Sequence, residues 1–314
     1  MIRISVVVCT YNRADILRTA LESLCNQDLD RSLYEIIIVD NNSTDDTRSV
    51  VEGFTDHGNV QYIFEKKPGP SHARNTGWKQ ARGDYVGFFD DDAKAPENWL
   101  TVADRIIRDT SPDIFGGPYF PFYTSERPAW FKEEYESFRP WSEPRLLAVT
   151  EHLCGTNIFF RRSLLEMSGG FDAALGPHGD VMGYGEETAL MITIRNRKPD
   201  AEVLYNPALY VFHLVRPPKM KMLWNIGNTF LLGRYSHYVF FDQNIAILHR
   251  FLSAFKILCL VLLIPADGMY GLAFRNRQRF PFFCNYVYEH TTKYIYILGM
   301  QYETIVRKIK KKIS

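Results

Sequence analysis

Three aspartates in a row, Asp90-Asp91-Asp92, close the apolar run Tyr85-Val86-Gly87-Phe88-Phe89. Adjacent carboxylates repel one another unless a cation offsets their charge. In extended backbone, Asp90 and Asp92 point to the same side. Hard divalent cations such as Mg²⁺ and Mn²⁺ favour oxygen donors, and Mg²⁺ is typically held by one or two carboxylates plus substrate phosphates. The triplet therefore reads as a platform for a divalent cation and a diphosphate. The plain alternative is an exposed acidic turn.

Two more polar clusters follow apolar runs. Thr10-Tyr11-Asn12-Arg13 comes after Ile4–Cys9, and its polar groups suit a base or ribose. Asp40-Asn41-Asn42-Ser43 comes after Glu35–Val39, and Asp40 could accept a hydrogen bond from a base N–H; alone, each of these two clusters also reads as an ordinary loop or helix cap. A third stretch, Pro68-Gly69-Pro70-Ser71-His72-Ala73-Arg74-Asn75, joins a Gly-Pro turn to a helix start. Arg74 projects from its first turns, toward a nucleotide or toward the acidic triplet, or into a simple surface salt bridge.

These clusters need strands to hold them side by side. Ile4–Cys9, Glu35–Asp40, Val60–Phe64 and Asp84–Phe89 read as strands. Between them, Ile16, Leu17, Ala20, Leu21 and Leu24 repeat at helical spacing, Ser43-Thr44-Asp45-Asp46 reads as a capped helix start, and Ser71–Gln80 reads as a third helix. Apolar strands alternating with helices imply a mostly parallel sheet covered on both faces. Ligands of such sheets bind beyond the carboxyl ends of the strands, where all three polar clusters fall.

The 314 residues suffice for one large α/β domain and a smaller appended region. Lysines and arginines number 37 against 36 acids, so no global charge points to nucleic acid. Five cysteines without a CxxC pair suggest neither a disulfide framework nor a zinc site. No N-terminal stretch reads as a signal peptide, so a cytoplasmic location is expected. Residues 118–150, rich in proline and aromatics, read as a lid or acceptor loop, or as a packed surface excursion.

From about Lys219 the pattern turns helical, with Leu223, Trp224, Phe230 and Leu231 on one face. Phe251–Ala266 is strongly apolar but interrupted by Lys256 and closed by Pro265 and Asp267. A crossing helix needs roughly 20 apolar residues, so an interfacial or re-entrant segment is expected. Arg307, Lys308, Lys310, Lys311 and Lys312 form a basic tail suited to an anionic membrane surface; the plain alternative is a buried helix followed by a solvated tail.

Taken together the motifs resemble family 2 glycosyltransferases of the GT-A fold. The matching stretches are Val7–Arg13, Ile38–Asp45, Gly69–Asn75, Phe88–Asp92, Gly155-Thr156-Asn157 with Arg161-Arg162, Gly169–Asp172 and Gly185–Leu190. The resemblance covers residues 4 to about 215. It implies an α/β GT-A fold, a Rossmann-like mixed sheet flanked by helices, over residues 1–215. Residues 216–314 would be a mostly helical, membrane-associating region.

The resemblance also implies roles. Thr10, Tyr11 and Asp40 would meet the nucleoside, with Asn12, Arg13, Asn42, Gly69, Arg74 and Asp91 completing the nucleotide-sugar site. Asp90 would lie near the ribose, and Asp92 would bind Mn²⁺ or Mg²⁺ with His213 beside it. Gly155, Thr156, Asn157 and Glu186 would face the acceptor. Glu187 stands where the family's base aspartate stands, with Glu186 as the substitute.

The function implied is inverting transfer of one sugar from a nucleotide-diphosphate sugar, expected to be a UDP-sugar. The acceptor would be a hydroxyl of a membrane-linked glycan or lipid in cell-surface polysaccharide or glycoconjugate biosynthesis. The enzyme would work at the cytoplasmic face of the membrane, peripheral or monotopic. No Gln-x-x-Arg-Trp motif follows the glutamates, which argues against a processive synthase. A sugar nucleotidyltransferase, or a non-catalytic GT-A-like membrane-binding scaffold, are the rival readings. Sugar, linkage and oligomeric state are not written in the sequence.

Overall fold

The computed structural model describes residues 2–173, 175, 185–240 and 247–306. The basic tail from Arg307 onward lies outside them. The chain falls into two compact units. The first comprises Met1–Phe122, Glu133–Val181 and Glu186–Leu214; the second comprises Tyr123–Lys132, Met182–Gly185 and Val215–Ser314.

The first unit is built on an eight-stranded mixed sheet in the order β3-β2-β1-β4-β9-β6-β10-β8. Its strands are β1 (Ile4–Thr10), β2 (Tyr34–Asp40), β3 (Val60–Phe64), β4 (Tyr85–Asp90), β6 (Ile114–Gly116), β8 (Arg145–Leu146), β9 (Asn157–Arg161) and β10 (Val203–Tyr205). A small second sheet pairs β5 (Ala93–Lys94), β11 (Val211–Leu214) and β7 (Tyr119–Phe122) in that order. The helices are α1 (Ala14–Cys25), α2 (Thr47–Glu52), α3 (Pro70–Gln80), α4 (Trp99–Asp109), α5 (Arg162–Ser168) and α6 (Glu186–Arg197).

Both faces of the sheet are buried, and the side-chain period of two sorts β1 between them. Ile4, Val6 and Val8 pack with Leu17, Leu21 and Trp99 on one face. Val7 packs with Ala73, Trp78, Leu165 and Met191 on the other. Each such buried aliphatic side chain contributes about 1.5–3 kcal/mol relative to exposure. Strands β1, β2 and β4 are parallel, in a register that sets Thr10 beside Asp40 and Cys9 beside Asp90. The clusters read as strand termini therefore share one edge.

One local expectation changes. The capped helix start at Ser43 is displaced: α2 begins at Thr47, whose amide is held by Asp45. Ser43 Oγ instead accepts a hydrogen bond from the Asn12 amide at 2.9 Å. The stretch after Gly155-Thr156, to which the sequence assigned no element, forms β9, antiparallel to both β4 and β6.

The second unit contains α7 (Met222–Phe240), α8 (Ile247–Phe274), the short α9 (Phe283–Tyr286) and α10 (Thr292–Val306). Leu223, Trp224, Phe230 and Leu231 share one side of α7 as expected, but that side is not the buried one. Leu223 is exposed, while Asn225 is buried and binds the carbonyls of Lys219 and Lys221. Pro265 and Asp267 do not end the apolar helix either; α8 runs through both. The Asp267 carboxylate stays in the helix because it accepts hydrogen bonds from Tyr286 at 2.8 Å and Thr291 at 2.7 Å. Tyr123–Lys132 joins this unit through an ion pair of Lys132 with Glu289 at 2.6 Å.

Candidate active site

The acidic triplet sits where β4 ends and turns into β5. Asp91 and Asp92 are buried, and Asp90 is partly open. Strand β11 lies antiparallel to β5, and the Leu214 amide donates to the Asp92 carbonyl at 2.8 Å. This pairing brings His213 to the triplet. Its Nε2 lies 3.2 Å from Asp92 Oδ1 and 3.6 Å from Asp90 Oδ2. One atom from each of these three side chains falls within 4.8 Å of the others. Two carboxylate oxygens and an imidazole nitrogen form a donor set that Mn²⁺ or Mg²⁺ accepts, so the residues fit the expected ion.

Arg13, at the start of α1, reaches back to the triplet. Its Nη1 lies 2.5 Å from Asp91 Oδ1 and 3.4 Å from Asp92 Oδ2. Burial pushes Asp91 up to about 6, against the pull of the Arg13 charge. Burial also works against ionising Asp90, but the hydrogen bond and charge of His213 hold it below the ordinary carboxylate range.

Arg74 faces the acids from the other side. Half-buried in α3, it lies 2.6 Å from Glu186, 2.9 Å from Glu187 and 3.9 Å from Asp90. Its guanidinium sits 5.5 Å above the Phe171 ring, which fixes its plane. Glu186 and Glu187 occupy the first turn of α6, where the helix dipole favours anions. Glu186 is buried; Glu187 keeps 15% of its side chain open. Burial and the Glu186 charge push Glu187 up to about 7, with Arg74 opposing.

A cleft of about 260 Å³ opens beside these groups, lined by Cys9, Thr10, Tyr11, Arg13, Asn41, Pro68, Gly69, Pro70, Ala73 and Asp91. Tyr11 projects over half its surface to solvent, while Thr10 is buried. Gly69 takes φ +124°, which a side chain would strain, and gives its amide to Asn41 Oδ1 at 2.7 Å. The thiols of Cys9 and Cys154 are both pushed up to about 12 by burial, so neither is a ready nucleophile.

Several expected contacts fall elsewhere. Asn157 does not face an acceptor. Its side chain is fully buried, accepting from Trp99 Nε1 at 3.0 Å and donating to the Pro118 and Leu209 carbonyls at 3.2 and 2.6 Å. Thr156 is also buried, with no partner for its Oγ1 among the described residues. Gly155 stays at the site, hard against the Glu187 carboxylate. Asn12 turns its Oδ1 to the Thr44 amide at 2.7 Å and thereby ties two loops together. Asn42 is exposed at φ +68°.

The sequence reading missed two residues. Tyr62 donates to Asp40 Oδ2 at 2.7 Å, while Asp40 Oδ1 accepts from the Ser43 amide at 2.8 Å. Asn41, rather than Asn42, anchors the Gly69 turn, and it also donates to the Glu65 and Lys67 carbonyls. Tyr62 becomes legible only through the register of β2 and β3, which sets it beside Ile38.

The model of a family described as Glycosyl transferase family 2 matches residues 5–168. A relative from Haloferax volcanii, a glucosyl-dolichyl phosphate glucuronosyltransferase, is 28% identical over 74% of this chain and 75% of its own length. Across the first curated relatives, the matched stretch spans 59% and 75% of their length. In structure, Staphylococcus aureus TarS 1-349 in complex with UDP aligns with TM-score 0.56 at 17% identity, over 96% of this chain and 91% of that one. Mannosyltransferase PcManGT from Pyrobaculum calidifontis, in complex with GDP-Man and Mn²⁺, aligns with TM-score 0.57 at 19% identity, over 96% and 73%. The fold they share is GT-A.

Proposed function

This chain belongs to glycosyl transferase family 2, and from that premise we propose that it is an inverting transferase. It moves one sugar from a nucleotide-diphosphate sugar to a hydroxyl of a membrane-linked glycan or lipid. The observation that carries this is the convergence on Arg74 of the triplet, through Asp90, and of the base candidate Glu187. A donor diphosphate and an acceptor hydroxyl must meet at such a junction.

The nucleotide end enters the cleft between Thr10, Tyr11 and Gly69. At about 260 Å³ the cleft is just under the roughly 300–1,000 Å³ of typical ligand sites, so it takes one end of the donor. Tyr62 and the Ser43 amide hold the Asp40 carboxylate in place to accept from a base N–H. Asp90, Asp92 and His213 are the residues that would hold Mn²⁺ or Mg²⁺. Such an ion neutralises the charge that develops on a departing diphosphate.

Glu187 takes the acceptor proton as the hydroxyl attacks the anomeric carbon. With its carboxyl raised to about 7, it is ionised in a useful fraction near neutrality and still basic enough to accept. Arg74 keeps the two α6 carboxylates from repelling each other. One displacement inverts the anomeric carbon, which agrees with the protonated thiols near the site. UDP is the preferred nucleotide, supported by the UDP-bound neighbour; the GDP-Man-bound neighbour keeps GDP in the test. The dolichyl phosphate in a relative's name supports an isoprenoid-linked acceptor.

The test is a thermal-shift panel of UDP-, GDP- and dTDP-sugars with and without Mn²⁺. It is followed by transfer to isoprenoid-phosphate glycans, with product stereochemistry read by NMR. A donor that stabilises only with metal, and a product of inverted configuration, are expected. Release of pyrophosphate from nucleoside triphosphate and sugar phosphate would make the chain a nucleotidyltransferase instead.

A further inference from the structure

We propose that α8 lies flat in one leaflet of an anionic membrane, rather than crossing it, and holds the helical unit there. This extends the membrane-linked acceptor proposed above, but it stands on the second unit alone. The helix is uncommonly one-sided. At roughly 100° per residue, Ser253, Leu260, Asp267 and Gly271 form one stripe, and each is buried or half-buried. The basic and acidic residues of α8 are His249, Arg250, Lys256 and Asp267. All four fall within roughly 75° of the middle of that stripe. The opposite side presents only apolar groups, with Phe251, Phe255, Leu258, Leu262 and Met269 each more than 60% exposed.

Apolar side chains left in water over such a length need an occupant. From Phe251 to Phe274 the outer face extends about 36 Å, and no other described helix covers it. Cationic side chains stand at both ends: Arg250 before it, Arg275, Arg277 and Arg279 after it. That pattern complements an anionic headgroup layer at both ends at once. Lys256 lies at the edge of the packed stripe, where its chain can lead the ammonium back to the headgroups.

Length alone would allow a crossing. The polar contacts of the packed side argue against it. Ser253 donates to Gln301 at 2.9 Å and Thr291 donates to Asp267 at 2.7 Å, so α10 runs antiparallel along α8. Near the first contact lies the ion pair of Arg234 and Glu303 at 2.8 Å. At the second lies the Asp267 carboxylate, with Lys132 and Glu289 paired nearby on the adjoining turn. Ser253 and Asp267 are only about 21 Å apart along the helix, whereas the hydrocarbon core is about 30 Å thick. A crossing would draw one ionic group into hydrocarbon, at high cost. Lying flat immerses the apolar face and leaves both groups on the aqueous side.

The experiment has two arms. Flotation with phosphatidylcholine vesicles, with and without phosphatidylglycerol, measures partitioning. Binding that phosphatidylglycerol strengthens is expected. Replacing Arg275, Arg277 and Arg279 by Gln should weaken it on the order of a hundredfold. Leu262→Glu on the outer face should release the protein while its melting temperature holds. Wild-type protein that ignores both vesicle types would overturn the proposal.

The second arm labels His249→Cys and Gln278→Cys with a membrane-impermeant maleimide. Sealed, one-sided membrane vesicles from expressing cells are used, and mass spectrometry assigns the sites. Both positions labelling from the same side supports a flat helix; one labelling and the other protected means a crossing and overturns it. Neither arm requires sugar transfer. An active enzyme that ignores vesicles therefore fails only this proposal, and a vesicle-bound protein without transfer fails only the catalytic one.

Discussion

Gly155 lies so close to Glu187 that a Cβ built on the glycine would fall 2.1 Å from Glu187 Oε1. The absence of a side chain at residue 155 therefore leaves the space in which the carboxylate rests. The same first turn of α6 is held from the other side by Arg74. Backbone on one side and a guanidinium on the other leave the carboxylate little freedom.

Gly155→Ala should therefore act on the catalytic step. The methyl pushes the carboxylate off its position, and a shift of about 1 Å in a reacting group costs on the order of a hundredfold in rate. We expect kcat to fall by that order while the donor dissociation constant stays within about twofold. Steady-state kinetics beside calorimetric titration of the donor separates the two. An unchanged kcat would mean that Glu187 rotates freely, and would remove Gly155 as a positioning residue.

The raised carboxyl of Glu187 gives a pH profile. A base must be ionised, so kcat/KM of the free enzyme should climb with pH and level off above about 7. The Arg74 charge favours the ionised form, so Arg74→Gln should carry the acid limb to higher pH. Glu187→Gln should remove the limb and lower turnover roughly 10²- to 10⁴-fold. A limb that stays in place in Glu187→Gln would assign it to another group and remove Glu187 as the base.

Metal dependence should track the triplet and His213. Activity is expected to vanish on chelation and return with Mn²⁺. Asp92→Asn should abolish detectable Mn²⁺ binding by calorimetry in the presence of nucleotide. His213→Ala should weaken it about tenfold to a hundredfold, since two carboxylates and donor phosphates remain as ligands. Full Mn²⁺ affinity in Asp92→Asn would move the ion elsewhere.

Which parts of this were legible in the sequence follows from the range of each signal. β1, β2 and β4 read directly, because a buried parallel strand is a short continuous apolar run. The polar ends of these strands announced Thr10, Asp40 and the triplet. Asn157 misled because a polar residue in a recognisable motif looks like a contact. What fixes its role is Trp99, Pro118 and Leu209, which the fold alone brings together. Tyr62 was hidden for the same reason, its partner Asp40 lying on a neighbouring strand. Pro265 and Asp267 looked like a helix end because local propensity disfavours them there. Tyr286 and Thr291 satisfy Asp267 from outside the window of any periodicity.

Arg195 offers the last test, one of position rather than chemistry. It stands in the last turn of α6, the helix whose first turn carries Glu187. Its Nη1 donates to the Val149 and Glu151 carbonyls at 2.7 and 3.0 Å, and its Nη2 to the Ala148 carbonyl at 3.0 Å. This buried guanidinium thus registers the 147–151 segment along α6, four residues ahead of Gly155. Arg195→Met leaves those carbonyls without their donor and should cost about 3 kcal/mol, read as a fall in melting temperature. If the segment also sets the acceptor side of the site, acceptor KM should rise several-fold at a temperature where the variant is folded, with donor affinity unchanged. Arg195→Lys should recover part of the stability but less of the acceptor KM, because one ammonium cannot span the same carbonyls. A variant with lower melting temperature and an untouched acceptor KM would confine Arg195 to holding the fold.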